Sequence, residues 1–265
     1  MHPISPWQWF KSLLYVLQVY GMMAVMAVYF VPLAVFSRDW AYRGVRTWCR
    51  YARWSAEKMV GLRTEVRGEV PTDEVLIASK HQSFLDIIIL VSVLPRPKFI
   101  MKKELIWAPI LGWFALRMGC VPVERGKRAQ AIQQMMEGVR AGRQDPGQLV
   151  IYPQGTRVPP GEYRPYKIGT ALLYEQLGQP CVPAATNVGL FWPRSGIWRR
   201  PGTAVLEFLP RIPPGQPRDA FMRELETVIE TRSNELMREA GFDGPLPGPG
   251  QTSTAPAGHH RQERD

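Results

Sequence analysis

Residues 75–94 of the chain read VLIASKHQSFLDIIILVSVL, and this stretch indicates the class of fold. Its first part, Val75–Lys80, is a short apolar run of the length expected for a buried strand. Its second part, Phe84–Leu94, is also apolar and begins directly after Ser83, a residue type favoured at helix N-termini. A buried strand that passes through a short loop into a helix is a building unit of α/β proteins.

The same alternation of short apolar runs and helical stretches continues beyond Gly61. It predicts an α/β domain over residues 61–242, with a layered, largely parallel sheet flanked by helices. The predicted strands are Leu62–Glu69, Val75–Lys80, Lys98–Lys102, Cys120–Glu124, Gln148–Tyr152, Cys181–Asn187 and Ala204–Leu209. The predicted helices are Phe84–Leu94, Ala108–Met118, Ala129–Ala141, Ile168–Gln176 and Asp219–Ala240. Residues 243–265 are rich in Pro, Gly, Ser and Thr, and we expect a disordered tail there.

Residues 1–60 have the pattern of a membrane-associated segment. Ser12 to Phe36 contains no charged residue. A helix of that length measures about 37 Å, against about 30 Å for the hydrocarbon core of a bilayer. A cleavable signal peptide fits poorly, because the apolar run is too long and lacks an A-x-A-like site. We therefore predict a membrane-embedded transmembrane helix, with a buried core helix as the alternative.

A second helix is predicted over Trp40–Val60, with four arginines on one face and apolar residues, including Trp48, on the other. The arginines are Arg43, Arg46, Arg50 and Arg53. This pattern predicts a helix among lipid headgroups, with a surface helix packed on the domain as the alternative. Positive charge after the apolar run places the rest of the chain in the cytoplasm. A spanning helix and a hairpin within one leaflet both fit the sequence.

The chain has 265 residues, a formal net charge of +10 and a pI of about 9.8. Such a charge predicts an anionic partner: nucleic acid, an anionic membrane or a phosphorylated substrate. Nucleic acid is disfavoured, because no recognised binding motif is present and it would not explain the uncharged run. The cysteines Cys49, Cys120 and Cys181 are far apart and form no C-x-x-C pair. We expect buried thiols rather than a disulfide framework or a zinc site.

His81 is the candidate general base. The chain has four histidines, and the other three, His2, His259 and His260, lie in peripheral segments. Asp86 follows five residues later and could fold back to hold Nδ1–H of His81, which would leave Nε2 free to take a proton. The alternative is a capping box formed by Ser83 and Asp86. It would explain Asp86 without catalysis, but it would not explain His81.

Cations and polar residues follow several other predicted strands. After Gln148–Tyr152, Gly155 permits close backbone approach, Thr156 offers a hydroxyl and Arg157 offers a planar fork suited to phosphate. The alternative is a plain Pro-Gly turn with an exposed arginine. Two further strands end in cations, which are Lys102, Lys103 and Arg125. The ends of parallel strands can meet at one edge of a sheet, so we expect these groups to share a site.

The segment from His81 to Asp86 resembles the H-x4-D motif of the glycerolipid acyltransferase family, and of the 1-acylglycerol-3-phosphate acyltransferases in particular. Four further segments resemble blocks of that family: a lysine-bearing segment, the second block, the E-G-T-R block and a V-P block. They are Lys102–Leu105, Gly119–Arg125, Pro153–Arg157 and Val182–Ala184. The blocks come in the family's order and span about residues 60–210.

This resemblance implies that an acyl group passes from acyl-CoA or acyl carrier protein to the hydroxyl of 1-acylglycerol 3-phosphate. His81 would take the hydroxyl proton, Asp86 would orient the imidazole, and Arg125, Arg157 and Lys103 would hold the acceptor phosphate. No metal or cofactor is required. The alternatives are acceptors such as glycerol 3-phosphate or a lyso-aminolipid, and a membrane-anchored thioester or lipid hydrolase. A hydrolase is disfavoured because the chain has no G-x-S-x-G motif.

Position 154 departs from the family pattern, because the usual glutamate of the E-G-T-R block is Gln154 in this chain. A glutamine keeps an acceptor oxygen but carries no charge, so Gln154 cannot act as a titrating group. We expect its side-chain oxygen to accept hydrogen bonds that shape the turn and direct Arg157.

Overall fold

The computed structural model describes residues 5–124, 133, 134, 137, 138, 140, 141 and 147–250. Its strands are β1 (Leu62–Arg67), β2 (Leu76–Ser79), β3 (Pro97–Lys102), β4 (Val121–Val123), β5 (Gln148–Ile151), β6 (Cys181–Thr186) and β7 (Gly202–Phe208). They form one sheet in the order β1-β7-β6-β2-β5-β3-β4. Every pairing is parallel except that of β6 with β7, which is antiparallel.

The described helices are α1 (Pro6–Phe36), α2 (Arg38–Val60), α3 (Phe84–Val93), α4 (Leu111–Arg117), α5 (Gly169–Leu177) and α6 (Arg218–Glu239). Two short 3-10 helices cover Lys103–Trp107 and Val188–Leu190. Alternate residues of β2 face opposite sides of the sheet. Ile77 packs in the core with α2 and α3, while Leu76 and Ala78 pack in the core with α5 and α6. The sheet therefore lies between two layers of helices.

The predicted α/β fold is confirmed, with seven strands and a largely parallel sheet. Element ends differ from the predictions by one to three residues at most positions. The antiparallel β6–β7 pair was not predicted, because the orientation of a strand depends on distant pairing rather than on its own pattern. The predicted helix Ala129–Ala141 falls largely outside the described residues, and so do residues 251–265 of the predicted tail.

Helices α1 and α2 form an antiparallel hairpin along one side of the domain. The hydroxyl of Tyr15 donates to the carbonyl of Ala52 at 3.0 Å, and the indole of Trp48 donates to that of Val19 at 2.9 Å. Both ends of α1 also contact the α/β domain. The Gln8 amide donates to the carbonyl of Arg199 at 2.8 Å. At the other end, Arg117 of α4 donates to the carbonyl of Ala34 at 2.8 Å. The hairpin therefore lies against the domain over its length.

Three of the four arginines on the basic face of α2 bond to protein groups. Arg46 donates to the carbonyls of Leu94 and Pro95, and Arg50 donates to the carbonyl of Ser92. Arg53 donates to Oγ of Ser92 at 2.7 Å and to Oγ1 of Thr64 at 2.7 Å. These are the contacts expected for the alternative of a helix packed on the domain. The exposed Arg43 instead lies over the ring of Trp40.

Candidate active site

His81 lies in the loop between β2 and α3, and its ring contacts Asp86. Nδ1 of His81 is 2.9 Å from Oδ1 and 3.0 Å from Oδ2 of Asp86. Asp86 is fully buried in the first turn of α3, whereas 13% of the His81 side chain is exposed. With Nδ1 held by the carboxylate, Nε2 is the ring nitrogen that is left to exchange a proton. The structure thus has the contact that the spacing of the two residues predicted.

The same carboxylate also caps α3. Oδ2 of Asp86 accepts from the backbone N–H of Gln82 at 3.0 Å and of Ser83 at 2.9 Å. Oγ of Ser83 accepts in turn from the N–H of Leu85, which completes the capping box. The capping role and the contact with His81 therefore coexist in one side chain, although the sequence presented them as alternatives.

Tyr152 completes the surroundings of His81. The two rings are stacked, with centroids 3.9 Å apart and an interplanar angle of 15°. The Tyr152 hydroxyl donates to Oδ1 of Asp86 at 3.1 Å. Burial, and then the charge of Asp86, raises the pKa of Tyr152 well above its ordinary value, so the phenol stays a neutral donor. This role was not predicted from the sequence. Tyr152 follows β5 directly, but only the order of the strands shows that β5 lies beside β2.

Contacts from two other segments hold the His81 loop in place. The carbonyl of His81 accepts from the N–H of Val158 at 2.8 Å, so the segment after Arg157 lies against this loop. Oε1 of the buried Gln82 accepts from the N–H of Gly189 at 3.0 Å. The loop is therefore fixed by contacts of its backbone and of its side chains.

The turn after β5 contains Gly155 and Arg157, and both have partners within the protein. Gly155 has a positive φ of 69°, and its N–H donates to the carbonyl of Tyr152 at 2.8 Å. The guanidinium of Arg157 donates to the carbonyl of Arg194 at 2.8 Å. Lys167 passes over the turn, since a Cβ atom added to Gly155 would lie 2.8 Å from its Nζ. Lys167 was not predicted from the sequence as a cation of the site.

The expected role of Gln154 is wrong. Its side chain is buried, and its Nε2 donates to Glu230 of α6 at 3.3 Å. Its Oε1 has no hydrogen-bond partner among the described residues, so it does not accept the bonds that were expected to direct Arg157. The expectation failed because nothing in the local sequence indicates that a carboxylate from α6 reaches this position.

The remaining predicted residues lie along the same edge of the sheet or outside the description. Lys103 follows β3, and its ammonium pairs with Glu124, which follows β4. Thr156 is part of the turn after β5 and is partly exposed. Arg125 lies outside the described residues. The C-terminal ends of β2, β5, β3 and β4 are neighbours in the sheet, so the described members of these clusters lie along one edge. That they form one site stays a prediction.

An apolar cavity lies between the hairpin and the α/β domain. Its walls come from α1, α2, α3 and α4, and from residues of and around β3. They include Met23, Met26, Phe30, Trp48, Phe84, Ile88, Phe99, Phe114 and Met118. Phe99 connects the cavity to the polar residues, because its ring is 6.4 Å from that of Tyr152. An apolar chain and a proton-accepting imidazole could therefore be brought together here.

Comparison with known proteins finds one family and several similar proteins. A family described as Acyltransferase matches residues 63–187. The chain is 27% identical over 216 residues to a 1-acyl-sn-glycerol-3-phosphate acyltransferase of Pseudomonas aeruginosa, with 81% of this chain and 84% of that protein covered. It is 29% identical over 200 residues to the enzyme of that name from Limnanthes alba, with 73% of this chain and 71% of that protein covered.

A solved structure has a similar fold. It is the crystal structure of the 1-acyl-sn-glycerophosphate (LPA) acyltransferase PlsC of Thermotoga maritima. The TM-score is 0.70 and the sequence identity 18%, with 86% of this chain and 97% of that chain covered. The match thus includes most of the described architecture.

Proposed function

Because the chain belongs to the glycerolipid acyltransferase family and is an O-acyltransferase, we propose that its acceptor is 1-acylglycerol 3-phosphate. The reaction moves a fatty acyl group from acyl-CoA or acyl carrier protein to the free hydroxyl and gives phosphatidic acid. The similar proteins carry the name of this activity. The observation that carries the proposal is the contact between His81 and Asp86 beside an apolar cavity.

In this reaction Nε2 of His81 takes the proton from the acceptor hydroxyl while its oxygen attacks the thioester carbonyl carbon. The carbon–sulfur bond then breaks, and the thiolate takes a proton from the imidazolium. Asp86 holds Nδ1–H and stabilises the cationic ring. General-base assistance of this kind contributes about 10²–10⁴ in rate. A thioester is an activated donor, so no acyl-enzyme intermediate is needed.

The apolar cavity is the proposed site of an acyl chain. Its lining is almost entirely apolar, and the indole N–H of Trp48 already donates to the carbonyl of Val19. Phe84 is one of the lining residues and is the first residue of α3, two positions before Asp86. A chain held there would place its carboxyl end toward the His81 loop.

Arg157, Lys103 and Arg125 are the proposed ligands of the acceptor phosphate. Two of them have internal partners that the phosphate would have to replace. Arg157 bonds to the carbonyl of Arg194, and Lys103 pairs with Glu124. Replacing a carbonyl by a phosphate gives Arg157 a charge-assisted, bidentate partner, which favours the exchange.

A membrane is the proposed location, with the α/β domain on the cytoplasmic face. Helix α1 is long and apolar enough to cross a bilayer. However, both of its ends contact the domain, which favours a hairpin lying within one leaflet. The segment that includes α4 adds exposed aromatic residues, since Trp107 is 84% and Trp113 is 38% exposed. Tryptophan is enriched where protein meets the membrane interface.

The test is an assay of the purified full chain in detergent with labelled acyl donors and a panel of lyso-acceptors. We expect labelled phosphatidic acid from 1-acylglycerol 3-phosphate. We also expect His81→Ala to lower turnover by about 10²-fold or more, because the general base is removed. Thr227→Ala, at an exposed position of α6, is the matched control. Free fatty acid as the main product, or full turnover by folded His81→Ala protein, would refute the proposal.

A further inference from the structure

A buried ion pair lies directly behind the His81 loop. The ammonium of Lys80 bonds to Oε2 of Glu230, and the side chains are 2% and 1% exposed. Lys80 is the residue before His81, and Glu230 lies on α6, 150 positions later. The general-base mechanism uses neither residue. A pair this deeply buried is held at a high desolvation cost, so breaking it leaves an uncompensated charge.

The carboxylate of Glu230 has three side-chain partners, of which Lys80 is one. Its Oε1 accepts from the hydroxyl of Tyr166 at 3.0 Å and from Nε2 of Gln154 at 3.3 Å. Burial, and then the charge of Glu230, raises the pKa of Tyr166 well above its ordinary value, so this phenol remains a donor. The pocket therefore contains one positive charge, one negative charge and two neutral donors.

Helix α6 reaches the His81 loop at two points. The ammonium of Lys80 bonds to Glu230 of α6. The backbone N–H of Lys80 donates separately to the carbonyl of Ala184 in β6 at 3.0 Å. On the other side of His81, the amide of Gln82 lies 3.7 Å from Sδ of Met237. His81 is thus flanked by two residues whose buried side chains contact α6.

We propose that Glu230 is a positioning residue for His81, and that position 154 is neutral because Glu230 already supplies the carboxylate for Lys80. A glutamate at 154 would place a second carboxylate about where Nε2 of Gln154 now donates, and two buried like charges repel. A neutral residue at 230 would leave the ammonium of Lys80 unpaired. This inference rests on the proposed function for its activity readout.

The first experiment compares Glu230→Gln with Glu235→Gln in the full chain. Both changes remove one carboxylate from α6, but Glu235 is exposed and pairs with Arg232 at the surface. We expect Glu230→Gln to lower kcat by about tenfold to 10²-fold with little change in the acceptor KM, because small misplacements of a catalytic group are costly. Glu235→Gln should match the original protein. Unchanged kcat in folded Glu230→Gln protein overturns the inference.

The second experiment moves the charge instead of removing it. Gln154→Glu alone gives the pocket two carboxylates, and the double variant Glu230→Gln/Gln154→Glu returns it to one. We expect both single variants to lose kcat and thermal stability, and the double variant to exceed each of them. A double variant no better than Glu230→Gln overturns the inference. If Glu230→Gln does not fold, the inference requires that the double variant does fold. A double variant that also fails to fold overturns the inference.

The stability measurement separates this inference from the proposed function. Melting temperatures of the four proteins in detergent need no substrate. If the original protein makes no phosphatidic acid, the proposed function fails, while the order of melting temperatures still tests the single-carboxylate pocket. If it makes phosphatidic acid and the double variant has no higher kcat than Glu230→Gln, the inference about Glu230 is refuted while the proposed function stands.

Discussion

At the scale of single residues, Asp86 shows how one buried carboxylate can serve both structure and chemistry. It accepts from the ring of His81, the hydroxyl of Tyr152 and the backbone of Gln82 and Ser83. The contact with His81 was predictable from sequence, because five residues across a loop and a first helical turn leave few arrangements. The bond from Tyr152 was not predictable, because it depends on the order of the strands.

The role of the Tyr152 hydroxyl can be tested by removing it. Tyr152→Phe keeps the ring stacked on His81 and loses only the bond to Asp86. We expect kcat to fall by about tenfold, which corresponds to one hydrogen bond of about 1.4 kcal/mol. Tyr163→Phe is the control, because that hydroxyl bonds to Glu226 of α6 instead. Equal turnover in the two variants would exclude a role for the Tyr152 hydroxyl.

At the scale of elements, the arginine face of α2 shows what a periodic pattern can and cannot predict. The spacing placed Arg46, Arg50 and Arg53 correctly on one face. It did not identify their partners, which are polar groups at the C-terminal end of α3 and on β1. Cations are stabilised at the C-terminal end of a helix, because the last carbonyls there carry partial negative charge. The arginines therefore tie the hairpin to the first helix after the His81 loop.

Removing one of these arginines should weaken the fold. Arg53→Ala deletes the bonds to Ser92 and Thr64, and we expect the free energy of unfolding to fall by about 1–3 kcal/mol. Arg43→Ala removes only an exposed side chain over Trp40 and should change it by less than about 1 kcal/mol. Denaturant unfolding in detergent, followed by circular dichroism, measures both. Equal denaturation midpoints for Arg53→Ala and Arg43→Ala would mean that the Arg53 bonds add nothing to stability.

At the scale of the whole molecule, seven strands and the described core helices follow from apolar patterning alone. The placement of the hairpin along the domain does not. It depends on contacts such as Gln8 with Arg199 and Arg117 with Ala34, which join residues far apart in sequence. These contacts bring α1 near α4, since both helices line one cavity. Helix α1 exposes large apolar side chains, and the segment before α4 exposes Trp107. This is the surface that we propose faces lipid.

A fluorescent probe can test this orientation. We expect NBD attached at Trp107→Cys to be quenched by doxyl-labelled lipids in anionic vesicles. NBD at Thr227→Cys, on the opposite helical layer, should not be quenched. The native cysteines Cys49, Cys120 and Cys181 are buried, and burial raises the pKa of Cys120 to about 11, so they compete little for the label. Equal quenching at the two positions would contradict a membrane-facing α4 segment.

The bond between Lys80 and Glu230 also has a consequence for synthesis on the ribosome. A growing chain must add 150 residues after Lys80 before its counter-ion exists. At about 5–20 residues per second, this takes about 8–30 s. Throughout that interval the segment around His81 lacks its final support from α6. We therefore expect the His81 segment of an unfinished chain to remain without its final packing until α6 has been made.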